Sequence, residues 1–285
     1  MASHIENKAK QLRDEGLKKL NSRGFFQSWF GGSDKASEAI DYYTRAGNLF
    51  KMAKNWQEAG EAFRDAGDLN CKTQDDLEAA LNYSEAGNCF RKYDTAKAVQ
   101  LYTKAIKLYS EMGRFFTAAK IEQKIAELME ELEDFSGAMV HYELASDLLH
   151  DENHHTMANK CMQKVGEFAA IEGKYQKAIK VFQGLAGPLL TYTAIEYFFR
   201  ACICHLCNDP QMMESVLIRY QEAYPKFKNT REYHLIITLL DCMAQNDMDR
   251  YANEIRIYDG TGKLSNWHMT MLLRAKSSLD YESLR

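Results

Sequence analysis

The chain has 285 residues, of which 46% are apolar and 27% charged, and its formal net charge is −4. This length allows a large apolar core, while the slightly acidic balance argues against nucleic acid as a partner. The sequence contains no apolar run long enough to span a membrane, and its charged beginning does not resemble a signal peptide. We therefore expect a cytoplasmic protein.

An aromatic segment follows a first, polar amphipathic helix predicted over residues 5–20. This segment, residues 23–35, carries four aromatic rings between glycines: Phe25, Phe26, Trp29 and Phe30. In one interpretation it is an apolar plug folded back onto the first helices. In the other it protrudes, its rings enter a lipid headgroup region, and neighbouring basic residues meet anionic lipid, so that the protein associates peripherally with membranes.

A repeated pattern of small and aromatic residues organises the chain from residue 39 onward. Tyr43, Ala46 and Phe50 share one face of a helix, and the same residue types return 40 positions later at Tyr83, Ala86 and Phe90. A second stripe, Trp56, Ala59, Phe63 and Ala66, predicts a partner helix after a turn at Lys54 and Asn55. Helical hairpins that recur with such a period stack into a solenoid.

The pattern resembles the tetratricopeptide repeat, although the 40-residue period is longer and proline is absent before Pro188. We predict an all-α fold in which residues 1–187 form a right-handed superhelical stack of tetratricopeptide-like hairpins. Residues 188–285 are predicted to form a C-terminal helical bundle with a short exposed tail. The helices are expected near residues 35–51, 55–70, 76–92, 95–110, 115–131, 135–150, 155–171, 175–185, 191–207, 211–223, 229–244, 248–257 and 265–280.

Catalytic signatures are missing, since the sequence has no phosphate-binding loop, no nucleophile elbow and no HExxH motif. Cys202, Cys204, His205 and Cys207 are metal-ligand types, but they fall on one apolar helix and are interpreted as core residues. The polar run from His150 to His155 is interpreted as a turn between helices. We predict no enzyme activity, no metal and no cofactor.

Two pairs of lysines occupy equivalent positions in successive repeats. Lys120 and Lys124 lie four residues apart on one predicted helix, and Lys160 and Lys164 follow 40 residues later. Together with Arg114 they predict a basic stripe. Such a stripe is either a solvated lysine face or a binding surface for an elongated acidic partner.

Six segments carry a resemblance to the soluble NSF attachment proteins, the SNAPs of the alpha and beta type, over the whole chain. They are residues 25–33 (FFQSWFGGS), 50–56 (FKMAKNW), 112–115 (MGRF), 158–161 (ANKC), 196–199 (EYFF) and 267–274 (WHMTMLLR). The resemblance implies a non-enzymatic adaptor in vesicle trafficking and membrane fusion. Such an adaptor wraps the four-helix SNARE complex of syntaxin, SNAP-25-like and synaptobrevin-type proteins and recruits the hexameric ATPase NSF, which separates the helices.

The resemblance also implies roles for individual residues. Lys120 and Lys160 match lysines that face the SNARE bundle, and Arg114, Lys164 and Tyr192 are weaker matches on that face. Asp209 and Asp241 match acidic positions that meet NSF, and Leu284 matches a leucine linked to ATPase stimulation. Ala244 and Gln245 depart from the pattern, since relatives carry glutamates there. The aromatic segment matches the membrane-contacting loop of the family.

Two alternatives stay open at this point. The chain could be a generic tetratricopeptide-like scaffold that binds peptide tails of partner proteins, or a metalloenzyme built on the cysteine cluster. The aromatic segment favours the SNAP interpretation over the scaffold, because a peptide scaffold would not need it.

Overall fold

A computed structural model of the chain describes residues 2–21, 32–187, 192–262 and 264–282. Every regular element in these ranges is helical, which confirms the all-α prediction. The α-helices are α1 (Ala2–Asn21), α2 (Gly32–Met52), α3 (Trp56–Lys72), α4 (Asp76–Phe90), α5 (Thr95–Glu111), α6 (Phe115–Glu131), α7 (Phe135–Asp151), α8 (His155–Ile171), α9 (Tyr175–Ala186), α10 (Tyr192–Asn208), α11 (Met213–Ala223), α12 (Arg231–Ala244), α13 (Met248–Gly262) and α14 (Asn266–Glu282).

The chain divides into two compact units. Unit 1 comprises residues 1–133 with 144–154, and unit 2 comprises residues 134–143 with 155–285. The division between repeats and bundle at residues 187 and 188, predicted from the sequence, falls inside unit 2 and stays a prediction. The handedness of the stack also stays a prediction.

Short turns separate the helices of unit 1, and polar caps start several of them. Asn55, Asp75 and Asp94 each accept a hydrogen bond from the backbone N–H three residues ahead, at 3.3, 3.2 and 3.0 Å. These bonds satisfy N–H groups that have no partner within the first helical turn. Lys54 and Gln74 adopt the left-handed backbone conformation that such tight turns require, with φ of 60° and 62°.

Aromatic rings in unit 1 pack onto glycines of the neighbouring helix. A Cβ atom added at Gly60 would lie 2.5 Å from the ring of Phe90, and one at Gly87 would lie 2.6 Å from the ring of Tyr102. Small residues therefore let the helices approach closely enough to bury the rings. The core of this unit contains the repeated residues that the sequence singles out, among them Ala46, Phe50, Ala59, Phe63, Tyr83, Ala86, Phe90, Ala98 and Tyr102.

Unit 2 contains the first part of α7 and the helices α8 and α9, and continues through α10 to α14. Pro210 and Pro225 each start a short 3₁₀ helix, Pro210–Met212 and Pro225–Asn229, because proline suits the first turn of a helix but not its interior. Helix α13 continues to Gly262, beyond the end predicted near residue 257. Arg231 of α12 holds this last turn through a hydrogen bond of 2.6 Å to Thr261 Oγ1.

We find no helix with the length and apolar character needed to cross a bilayer in the part of the chain that the structure describes.

Candidate functional site

The first basic group lies at the start of α6 in unit 1. Arg114 occupies the N-cap position of this helix and is exposed. Lys120, two turns further along, is half-buried, and its Nζ lies 3.2 Å from Gln123 Oε1 and 5.6 Å from the ring centroid of Phe116. Lys120 therefore lies on the helix that the sequence predicts to carry the basic stripe, and Arg114 lies at the start of that helix.

Lys124 is tied to the interior of unit 1 rather than free at the surface. Its Nζ donates to Asn88 Oδ1 at 3.1 Å and lies 5.8 Å from the ring centroid of Tyr102. The Tyr102 hydroxyl donates to the same Asn88 oxygen at 2.9 Å. Burial lowers the pKa of Lys124 from its usual value. We therefore assign this lysine first to the contact between α4, α5 and α6.

The second lysine pair lies on α8 in unit 2. Lys160 is exposed, whereas Lys164 is half-buried with its Nζ 5.4 Å from the ring centroid of Phe168. That ring is buried and stacks on Phe135 at 5.0 Å. Tyr192, the sixth residue expected to contact the SNARE complex, is the first residue of α10, and its side chain lies outside the described residues.

Two aspartates predicted to meet NSF lie near the ends of helices in unit 2. Asp209 accepts a hydrogen bond of 3.1 Å from the N–H of Gln211. Asp241 forms an ion pair of 2.7 Å with Arg250 and accepts a bond of 2.6 Å from Gln245 Nε2. Its charge is therefore partly neutralised, while its side chain remains 44% exposed.

A groove of about 660 Å³ lies between these helix ends. Leu240, Met213 and Met243 give it apolar walls, and Asp209 and Glu214 contribute carboxylates. Ala244, where the family resemblance implies a glutamate, also lines the groove. Asp241 follows Leu240 on α12 but is not one of the residues that line this groove.

Helix α14 is attached to α8 and α10 by a buried polar network that the sequence analysis missed. Arg200, whose side chain is 7% exposed, pairs with Glu167 at 2.6 Å and with Glu196 at 2.7 Å. His268 Nε2 lies 3.2 Å from Glu196 Oε1. The signal in the sequence was Arg200 within the apolar run FFRACIC, since a buried arginine requires partners.

The cysteine cluster is part of the core of unit 2. Cys202 and Cys204 are buried, and burial raises the pKa of both thiols. Burial also raises the pKa of Cys207 to about 12 and lowers that of His205 to about 4. The burial of Cys202 and Cys204 agrees with the interpretation of this cluster as core residues.

Sequence comparisons with known proteins identify the family of this chain. A sequence model of the family "Soluble NSF attachment protein, SNAP" matches residues 7–280. The chain belongs to this SNAP family. The alpha-soluble NSF attachment protein of Homo sapiens is 40% identical over 289 aligned positions, which cover 98% of each chain. The beta-soluble NSF attachment protein of Bos taurus is 39% identical, over 96% of this chain and 94% of its own.

A more distant relative also matches almost the whole chain. The probable vesicular-fusion protein sec17 homolog of Schizosaccharomyces pombe is 31% identical over 94% of this chain and 95% of its own. These names denote attachment and fusion proteins rather than enzymes, so the SNAP resemblance and the assignment to a non-enzymatic family are confirmed.

Two expected contact regions of this SNAP lie outside the described residues. The four rings Phe25, Phe26, Trp29 and Phe30 of the aromatic segment precede α2, whereas residues 32–35 of that segment are the first residues of this helix, and Leu284 follows α14. Their roles stay predictions from the sequence.

Proposed function

We propose that this SNAP is an adaptor that binds assembled SNARE complexes and recruits and stimulates an NSF-type ATPase to disassemble them. The observation that carries the proposal is the match of the SNAP family to residues 7–280, with relatives named NSF attachment proteins across almost their whole length. Described residues of both units carry the basic side chains that such an adaptor would need.

Lys120 and Arg114 of unit 1 and Lys160 and Lys164 of unit 2 are the proposed SNARE contacts. Arg114 and Lys160 are exposed, so an acidic partner reaches them without any rearrangement of the helices. Long-range attraction between a basic surface and an acidic helical bundle speeds association and selects the partner, and added salt weakens it. Lys124 contributes less in this proposal, because Asn88 already accepts its hydrogen bond.

The proposed contact with the ATPase lies at the other functional region, around Asp209, Asp241 and the tail that ends beyond α14. Asp209 and Asp241 would pair with basic residues of the ATPase. The pairing of Asp241 with Arg250 at 2.7 Å means that a basic side chain of the partner must compete with an internal one. Leu284 would add a small apolar anchor to this contact.

The aromatic segment is proposed to hold the adaptor at the membrane on which SNARE complexes are anchored. Such a contact raises the local concentration of the adaptor at its partner, so it increases avidity without any new contact to the SNARE helices.

A binding experiment tests the proposal directly. The wild-type protein should bind the assembled four-helix SNARE complex more tightly than the separate SNARE proteins, and should bring NSF to that complex. Lys120→Glu combined with Lys160→Glu should reduce SNARE binding steeply while the helical content and melting temperature are retained.

The control for this variant is Lys107→Glu combined with Lys180→Glu, which makes the same charge change at exposed lysines of α5 and α9. If both double variants bind as tightly as the wild type, the basic residues form only a solvated face. If the wild type does not bind assembled SNARE complexes but binds isolated peptide tails of partner proteins, the generic scaffold function replaces the proposal.

A further inference from the structure

An exposed aromatic ring lies beside the basic residues of α6. Phe115 and Phe116 begin this helix, and each is 37% exposed, which is unusual for two large apolar side chains in succession. Lys120 lies one turn after Phe116, and its Nζ is 5.6 Å from the centroid of that ring. The phenyl ring and the ammonium group therefore belong to one surface.

The ring of Phe116 is held in position by the turn between α7 and α8. The imidazole of His154 packs against it, with ring centroids 4.6 Å apart and planes inclined by 48°. The backbone N–H of His154 donates to Leu149 O at 2.8 Å, and Asn153 adopts a left-handed conformation with φ of 61°. Because the turn fixes His154, Phe116 loses little conformational entropy when a partner covers it.

We propose that Phe116 is an apolar contact for the SNARE complex. Its ring packs against an aliphatic side chain of a SNARE helix, next to a carboxylate that Lys120 binds. This inference rests on the function proposed above and adds an apolar contact to the ionic contacts of the lysines. Surface positions of an acidic helical bundle present aliphatic groups and carboxylates within one turn of each other. The pair formed by Phe116 and Lys120 matches that combination.

Charge complementarity favours a protein helix over a lipid surface as the partner at this position, with Lys120 as the group that attracts its carboxylates. The turn that holds Phe116 also carries the exposed carboxylates of Asp151 and Glu152, so it is not uniformly basic. An anionic lipid surface would meet these carboxylates together with the lysine, whereas a helix with spaced acidic residues can approach Lys120 selectively. Covering the ring would also exclude water from the lysine contact and strengthen it.

The test separates apolar from ionic contributions through their salt dependence. The dissociation constant of the assembled SNARE complex, prepared without membrane anchors, is measured at several salt concentrations for the wild type, Phe116→Ala, Phe116→Leu and Lys120→Gln. Phe116→Ala should weaken binding by about five- to ten-fold with an unchanged salt slope, because only apolar area is lost. Lys120→Gln should flatten the slope, and Phe116→Leu should retain most of the affinity.

Phe115→Ala is the matched control, since it removes a ring of equal exposure about 100° away around the helix. Melting temperatures of all variants show whether the fold is kept. If Phe116→Ala does not fold, Phe116→Gln, which also removes the apolar ring but keeps more of its volume, replaces it and should weaken binding to a similar degree. Wild-type affinity in the folded variant without the ring would overturn the inference while the proposed function survives. Loss of binding to anionic liposomes, with unchanged binding to the soluble SNARE complex, would overturn it in favour of a lipid contact. A wild-type protein that does not bind SNARE complexes would overturn the proposed function itself.

Discussion

The guanidinium of Arg200 lies over the indole of Trp267, with its central carbon 5.0 Å from the ring centroid. Arg200 belongs to α10 and Trp267 to α14, and the indole N–H donates to the backbone oxygen of Glu167 in α8 at 3.0 Å. Arg274 adds bonds of 3.0 and 2.8 Å to the last carbonyls of α8. The helix that carries the C-terminal tail is thus fixed to the helix that carries Lys160 and Lys164.

The carboxylate of Glu196 in this network predicts a dependence of stability on pH. Burial alone would raise its pKa, but contacts with His268 and Arg200 outweigh burial and lower the pKa from 4.5 to about 2. Since the folded pKa lies below the unfolded one, the stabilisation is complete above about pH 4.5 and is lost as the pH falls towards 2.

We expect Glu196→Gln to lower the free energy of unfolding by about 1 kcal/mol at pH 7 and by less at pH 3. The figure is small because the side chain is 43% exposed, so that solvent screens its ion pairs. Urea unfolding at several pH values measures this change in the free energy of unfolding. Glu222→Gln, at an exposed carboxylate of α11, is the control. Equal losses at pH 3 and pH 7 would contradict the electrostatic explanation.

Lys124 and Lys160 should differ in what their replacement does. Lys124→Met removes the hydrogen bond to Asn88 and should lower the free energy of unfolding by about 1 kcal/mol, with a small effect on SNARE binding. Lys160→Met should leave stability unchanged and weaken SNARE binding, because its side chain is exposed. Thermal unfolding and binding assays on both variants check the contrast. The reverse pattern would show that Lys124 is the main contact.

The close approach of α3 and α4 predicts a large effect of one methyl group. Gly60→Ala places a Cβ 2.5 Å from the Phe90 ring and should cost about 1–3 kcal/mol through overpacking. Gly184→Ala in α9 is the control, since, apart from its chain neighbours and the nearby backbone of its own helix, no heavy atom of the described residues lies within 4 Å of the new Cβ. This second variant should stabilise the protein by about 0.5–1 kcal/mol. Chemical unfolding of the two variants measures both values.

The repeat pattern predicted the fold well because the helices of unit 1 share a local periodicity, and α3, α4 and α5 also begin at a side-chain cap. The helix ends near Asn55 and Asp75 follow from residues within one turn of them. The Arg200 network could not be predicted in this way, because its members come from α8, α10 and α14 and meet only after folding. The partial burial of Lys124 is of the same kind, since Asn88 is 36 residues away in the chain. Spacing predicts that two lysines share a helix face but not which of them the neighbouring helix covers.

The aromatic segment should matter only when a membrane is present. Phe25→Ser combined with Phe26→Ser removes apolar area worth on the order of 2 kcal/mol per ring when buried in the headgroup region. Disassembly of liposome-anchored SNARE complexes should slow, while that of detergent-solubilised complexes should change less. Equal loss in both assays, together with a lower melting temperature, would instead support a plug that packs on the first helices.

Leu284 should couple SNARE binding to ATP turnover. Leu284 is the next large aliphatic residue after Leu279, and the resemblance to the SNAP family implies that it stimulates the ATPase. Leu284→Ala should leave helical content, melting temperature and SNARE binding unchanged, because neither the repeat core nor the basic residues involve this position. The ATPase rate of NSF at saturating SNARE complex should fall, and disassembly with it, since the leucine would no longer enter an apolar pocket on the ATPase. Arg285→Ala is a control for a change at the same end of the chain without loss of the apolar anchor. Unchanged turnover with Leu284→Ala would place the coupling at Asp209 and Asp241 instead.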